Sequence, residues 1–146
     1  MKSSAKTIPE EAAFLDLART TEILSAPIVQ LLKTQELSPA PYNVLRILRG
    51  CPEGLTCREI GERMITRDPD ITRLLDRLEK RKLIARNRDD KDRRVVLTRI
   101  TDAGLELLMK LDQPLREVHR KMLGHLGPER LRSLGQLLEL CRSTAR

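Results

Sequence analysis

The chain has 146 residues, 40% of them hydrophobic, which suits one domain with a core of its own. Phe14 and Tyr42 are its only aromatic residues. The core must therefore come from Leu, Ile, Val and Met, and almost nothing remains for a base-stacking platform of the kind that holds single-stranded nucleic acid. The net charge is +7, unevenly spread: residues 1–57 hold 6 basic and 6 acidic side chains, residues 58–99 hold 14 and 9, and residues 100–146 hold 8 and 6.

A local excess of +5 in the middle third points to a polyanion partner. On charge alone, membrane phosphates or a merely solvated surface fit as well. No apolar run approaches the ~20 residues that cross a bilayer. The N-terminal MKSSAKTIPEE lacks an apolar stretch for a signal peptide. The expectation is a cytoplasmic protein whose three cysteines, Cys51, Cys57 and Cys141, are reduced thiols.

Residues 1–8 read as a loose polar tail. A helix starts near Pro9, with Glu10 and Glu11 at the positive end of its dipole. It carries Phe14, Leu17, Ala18, Ile23, Leu24, Ile28, Leu31 and Leu32, and Pro27 is expected to kink or break it. Ser38-Pro39 opens a second helix, with Leu37 and Tyr42 placed for a hydrophobic staple. That helix runs through Val44, Leu45, Ile47 and Leu48 and stops at Gly50, before a turn over residues 51–54.

Thr56-Cys57-Arg58-Glu59 matches a capping box and predicts a short helix to about Met64. Asp68-Pro69 repeats the cap-plus-proline start. From there Ile71, Leu74, Leu75 and Leu78 fall on one helical face, with Arg73, Asp76, Arg77 and Lys80 on the other. After Lys82 the period changes to that of strands. Residues 83–88 and 94–100 read as two strands around the charged turn Asp89-Asp90-Lys91-Asp92-Arg93, which makes a hairpin.

Thr101-Asp102 caps a long helix bearing Leu105, Leu108, Leu111, Leu115, Val118 and Met122. Gly124 and Gly127-Pro128 punctuate it. A last helix follows with Leu131, Leu134, Leu137, Leu138 and Cys141.

Helix, turn, helix and basic hairpin, in that order over residues 56–100, make a helix-turn-helix with a wing. A helix fits the major groove of B-DNA, where all four base pairs differ at their edges. The N-terminal half of such a recognition helix meets the bases. Here that half holds Asp70, Thr72 and Arg73, preceded by Arg67. Arginine pairs with guanine through two hydrogen bonds, and threonine meets a base edge or a thymine methyl. Arg77, Lys80 and Arg81 lie further along, where phosphates are the expected contacts. Lys91, Asp92, Arg93 and Arg94 form the wing tip. Arg73, Asp76, Arg77 and Lys80 also have the i,i+3 and i,i+4 pairing of any solvated helix. The hairpin that follows adds a second basic element beside them, and that favours the DNA reading.

The segments LSPAPYNVLRIL, EIGERM, DPDITRLLDRLEKRKLIAR, DKDRRVVLTRIT and DAG, in this order and spacing, resemble the multiple-antibiotic-resistance regulator (MarR) family. The resemblance covers roughly residues 10–142 and is strongest from Leu55 to Gly104. Its most specific part is Asp92-x-Arg94 followed by Ile100-Thr101 and Gly104. It implies a dimeric winged-helix regulator that binds a pseudo-palindrome, with dimer contacts from the first and last helices. It also implies that Arg94 enters the minor groove, oriented by Asp92. The sequence departs from the pattern in three places. Lys82 stands where glycine is common after the recognition helix, so that helix is expected to end differently. Gly61 replaces a usual alanine, and Pro27 interrupts the first helix.

Other chemistries find little support. His119 and His125 are six apart with no cysteine near, a poor spacing for one metal site. Asp89, Asp90 and Asp92 are interleaved with Lys91, Arg93 and Arg94, which suits a wing tip better than a cation site. There is no Gly-rich phosphate loop and no Ser/His/Asp set in a catalytic context. The cysteines read as buried or inert.

The sequence therefore predicts a mainly α protein: a winged helix-turn-helix with a small antiparallel hairpin and N- and C-terminal dimerisation helices. Residues 1–146 form one domain, with a DNA-binding core at 37–101 and dimerisation helices at 9–36 and 102–142. The expected function is a homodimeric regulator, a repressor, of double-stranded DNA at a pseudo-palindromic operator. No enzyme activity, no cofactor, no metal and no membrane partner are expected. A small-molecule effector is left open. The alternative is a winged helix used for protein or RNA contact.

Overall fold

The structure, a computed structural model, describes residues 6–145; most of the expected N-terminal tail lies outside the described residues. In chain order the elements are α1 (Pro9–Lys33), α2 (Pro39–Arg49), α3 (Cys57–Arg63), α4 (Ile71–Lys80), β1 (Ile84–Arg88), β2 (Val96–Ile100), α5 (Asp102–Leu123), a single 3₁₀ turn (Gly124–Leu126) and α6 (Gly127–Ser143). This is the winged helix-turn-helix that the sequence predicts. β1 and β2 pair antiparallel from Ile84 opposite Ile100 to Arg88 opposite Val96. Leu55 adds one bridge, exchanging two backbone hydrogen bonds with the buried Thr98.

The contacts divide the chain into two units, Leu31–Arg116 and the remainder, residues 6–30 with 117–145. The first unit contains the core. Val44, Leu45 and Leu48 of α2, Ile60 of α3, Leu74, Leu75 and Leu78 of α4, Ile84 of β1 and Leu108, Leu111 and Leu115 of α5 are all buried. Along α5 the buried side is set by Leu107, Leu108 and Leu111, whereas Leu105 is half-buried. In the second unit α6 buries no residue, and Phe14, Ile23, Leu137 and Leu140 are all more than half exposed.

Local chemistry explains where the elements begin. The capping box of α3 is complete: Glu59 N donates to Thr56 Oγ1 at 3.2 Å, and Thr56 N donates to Glu59 Oε2 at 2.8 Å. These bonds from Thr56 hold the Glu59 carboxyl below its usual range. Ser38 stands at the N-cap of α2 with an extended backbone, but its side chain makes no cap bond. The start of α4 differs from expectation. Asp68 Oδ1 accepts from Asp70 N at 2.8 Å, which closes a turn, and Asp70 is the residue that caps the helix, accepting from Arg73 N. The competing local bond of an aspartate moves the cap two residues on.

Two expectations about breaks are corrected. Helix α1 continues through Pro27 without the break that proline was expected to allow. A proline removes one i→i−4 bond, here the one to Ile23, and a 25-residue helix keeps the bonds on both sides. Lys82, expected to alter the end of α4, instead takes the left-handed conformation with φ 62°. Leu83 N donates to Leu78 O at 3.1 Å and Lys82 N to Glu79 O at 2.8 Å. These are the paired bonds of a Schellman cap, with the two buried leucines in its apolar contact. The bonds hold a residue that pays a steric penalty for its Cβ.

That penalty is measurable. Replacing Lys82 by glycine relieves about 1 kcal/mol of left-handed strain. Lys82→Gly is expected to raise the melting temperature by roughly 3 °C, followed by circular dichroism, while Lys82→Ala leaves it unchanged. A Lys82→Gly variant that melts lower than the parent contradicts the strained cap.

Candidate nucleic-acid interface

The apolar face of α4 is fixed by Leu74, Leu75 and Leu78, which leaves Thr72, Arg73, Asp76, Arg77 and Lys80 exposed on the opposite side. Arg67 is exposed in the connection from α3. Asp70 is engaged at the cap, and its Oδ2 lies 3.3 Å from Arg73 Nε. It therefore steadies the first turn and the neighbouring guanidinium together. Arg81, read from sequence with the phosphate contacts, is turned to other work. Its Nη1 donates to Glu36 O at 2.7 Å and its Nη2 to Gln35 O at 3.2 Å, which ties the end of α4 to the turn before α2.

The hairpin loop is longer than expected. β1 ends at Arg88 and β2 begins at Val96, so Arg94 lies in the loop rather than in a strand. Asp92 and Arg94 still meet, by a different route. Val95 N donates to Asp92 O at 3.0 Å, closing a turn. Asp92 Oδ1 accepts from Arg94 N at 3.1 Å and from Arg94 Nε at 3.2 Å. The carboxylate thus holds backbone and guanidinium of one residue, while the Arg94 side chain stays 92% exposed. Lys91 and Arg93 are exposed beside it. Arg88 Nη1 donates to Arg93 O at 2.8 Å and braces the loop from β1.

The predicted residues therefore form two exposed groups, Arg67–Lys80 around α4 and Lys91–Arg94 at the wing tip. The residues that join these groups were missed by the sequence reading. Arg86 of β1 donates from Nη2 to Asp76 Oδ1 at 2.6 Å and to Glu79 Oε1 at 2.9 Å. Its backbone N donates to Glu79 Oε2 at 3.1 Å. These hydrogen bonds hold the Glu79 carboxyl below its usual range and push the Arg86 guanidinium up. A signal was available: Asp76 and Glu79 are three apart on a helix, and Arg86 and Arg88 share one side of a strand.

The base of the hairpin is equally defined. Thr101 Oγ1 donates to Lys82 O at 2.7 Å and accepts from Gly104 N at 3.2 Å, while Thr101 N donates to Leu83 O at 3.1 Å. A Cβ on Gly104 would lie 2.4 Å from Leu83 O and 2.6 Å from Ile100 Cγ1, so only glycine fits there. Of the thiols, Cys51 and Cys57 are half-buried, and Cys51 Sγ accepts from Arg63 Nη1. Cys141, expected within an apolar stripe, is exposed on α6, a helix with no buried residue. Among the described residues no three His, Cys, Asp or Glu side chains gather as metal ligands, and no helix is long and apolar enough to cross a membrane.

Comparison with known proteins agrees with this architecture. The model of the MarR family matches residues 37–96, from the end of the turn before α2 to the start of β2. A MarR transcription factor from Planctomyces limnophilus is 41% identical in its crystal structure, over 92% of this chain and 98% of that one, with a TM-score of 0.69. The PcaV transcriptional regulator of Streptomyces coelicolor, solved with its natural ligand, is 26% identical over 96% of this chain and 95% of that one, with a TM-score of 0.73. The transcriptional repressor MdtR of Bacillus subtilis (strain 168) is 34% identical over 90 residues, 62% of this chain; the chain spans 57% of that repressor's length. Given 41% identity over nearly the whole of two chains with one fold, the chain belongs to the MarR family.

Proposed function

We propose that the protein is a transcription regulator that binds double-stranded DNA as a homodimer at a pseudo-palindromic operator. Helix α4 enters the major groove, where Thr72 and Arg73 face the bases, and Arg67, Arg77 and Lys80 meet phosphates. Asp70 orients Arg73. The wing reaches the adjacent minor groove, whose narrow stretches attract an arginine. Lys91 and Arg93 flank that contact on the backbone. One observation carries the reading: Arg94 is almost fully exposed at the wing tip yet held by Asp92 through its own backbone and guanidinium. A tethered, outward cation has lost part of the freedom that binding would otherwise cost.

Residues 9–36 and 102–142 supply the dimer contacts, and residues 37–101 the DNA-binding core. The exposed apolar side chains of α1 and α6 support this, since so many uncovered on two helices call for a partner, and the commonest partner is a second copy in two-fold symmetry. Repression follows the likeness to MdtR, and a small-molecule effector follows the likeness to PcaV.

Two measurements test the proposal. Arg94→Ala is expected to weaken binding to DNA selected from a genomic library by at least about tenfold, with an unchanged melt, because the tip adds nothing to the core. Asp92→Ala is expected to weaken it too, although it removes a negative charge and screening alone predicts tighter binding. An Asp92→Ala variant that binds more tightly contradicts the orienting role. Separately, sedimentation of the full chain at micromolar concentration should give twice the mass of 16.7 kDa. A stable monomer under those conditions contradicts the dimer.

A further inference from the structure

Between the two exposed groups lies a charge cluster that neither of them uses. Arg86 is only 24% exposed, against 70% for Arg73 and 92% for Arg94, so its guanidinium is not presented to a phosphate. It is spent on two carboxylates of α4, Asp76 and Glu79, and its own backbone N–H is spent on the second oxygen of Glu79. One strand residue is therefore fixed to the helix through both its side chain and its main chain. Two residues on, along the same side of β1, Arg88 grips the carbonyl of Arg93 at the wing tip. Strand β1 is thus tied to α4 at Arg86 and, two residues on, to the residue beside Arg94 at Arg88.

We propose that Arg86 is a positioning residue for DNA binding, which sets the wing relative to α4 so that the major-groove helix and the minor-groove arginine seat in one docking. The proposal rests on the reading that both α4 and the wing touch DNA. Its physical basis is geometric. A two-stranded hairpin is marginal by itself and takes its direction from what it packs against. Here the base is fixed at Lys82–Thr101 and Leu55 bridges Thr98 of β2, while Asp76–Arg86–Glu79 ties the facing strand to α4 at Arg86, six residues beyond the end of that helix. Without the clamp the wing samples several directions, and Arg94 reaches its groove only part of the time. A binding-competent state that is partly populated lowers affinity by that fraction.

The sign of the charge effect separates the clamp from simple electrostatics. The three side chains together carry a net charge of −1. The triple variant Asp76→Asn, Glu79→Gln, Arg86→Gln removes that negative charge, so attraction to a polyanion should rise. The clamp predicts the opposite. The experiment measures affinity of the full chain for one selected duplex at fixed salt, for the parent, Arg94→Ala, the triple variant and the two combined. The triple variant is expected to bind about tenfold more weakly than the parent, and the loss caused by Arg94→Ala is expected to shrink to less than about threefold in its background. A cluster that only stabilises the fold would lower the melting temperature and leave the Arg94→Ala factor equal in both backgrounds.

Arg86→Lys gives a second variant for the same cycle. It keeps the charge but cannot bridge both carboxylates with a planar fork. It is expected to fall between parent and triple variant in both affinity and coupling, and it decides the matter if the triple variant fails to fold. Tighter binding by the triple variant, or an unchanged Arg94→Ala factor, overturns the proposal. Loss of any Arg94→Ala effect in the parent overturns the wing reading itself, and the clamp with it, whereas failure confined to the cycle leaves that reading standing.

Discussion

Gly104 has no side chain, and the carbonyl of Leu83 occupies the space where one would be. That close approach brings the start of α5 onto the point where α4 ends and β1 begins. Thr101 then bonds to Lys82 O, to Leu83 O and to Gly104 N, so three elements are tied at a single junction. The left-handed Lys82 turns the chain out of α4 directly into the hairpin. The placement of the wing base depends on this junction. A methyl group at position 104 would force the junction apart, since the clash is with backbone as well as with Ile100.

With the frame fixed, the carboxylates on the candidate DNA surface become intelligible. A polyanion-binding face gains from neutralising its negative charge, and four of its carboxylates, Asp70, Asp76, Glu79 and Asp92, are paired with arginines. Each is occupied. Asp70 caps α4 and steadies Arg73; Asp76 and Glu79 share Arg86; Asp92 holds Arg94. Arg73 and Arg94 remain exposed while their directions are restricted. These acidic residues act as holders of arginines, and in the proposed docking that lowers the entropy lost when those arginines meet DNA.

Much of this was legible in the sequence. The capping box at Thr56, the period of Ile71, Leu74, Leu75 and Leu78, and the change to strand period after Lys82 all rest on local rules, and they place the fold. What the sequence reading missed depends on competition between local bonds or on contacts across elements. Asp68 and Asp70 are both good caps, and only the turn bond between them decides for Asp70. The strand at Arg94 gives way to a turn because Asp92 bonds to the backbone two residues on. Lys82 adopts a conformation its side chain disfavours, because the Schellman bonds and Thr101 outweigh the cost. Arg86 reads in sequence only as part of a strand, and its partners on α4 are seen only when helix and strand are placed together.

The central claim is that this surface is built for phosphate-backed DNA recognition by two copies of the chain. Such binding displaces condensed counterions, so it must weaken steeply as salt rises. If each subunit neutralises about four phosphates, the logarithm of the association constant should fall against the logarithm of salt concentration with a slope near −7. The most direct measurement is therefore a salt titration of the full chain on a duplex selected from genomic DNA. A slope close to −7 agrees with a dimer that engages both helices and both wings. A slope near zero contradicts the account, because no surface that works through Arg67, Arg77, Lys80 and Arg94 could hold DNA without it.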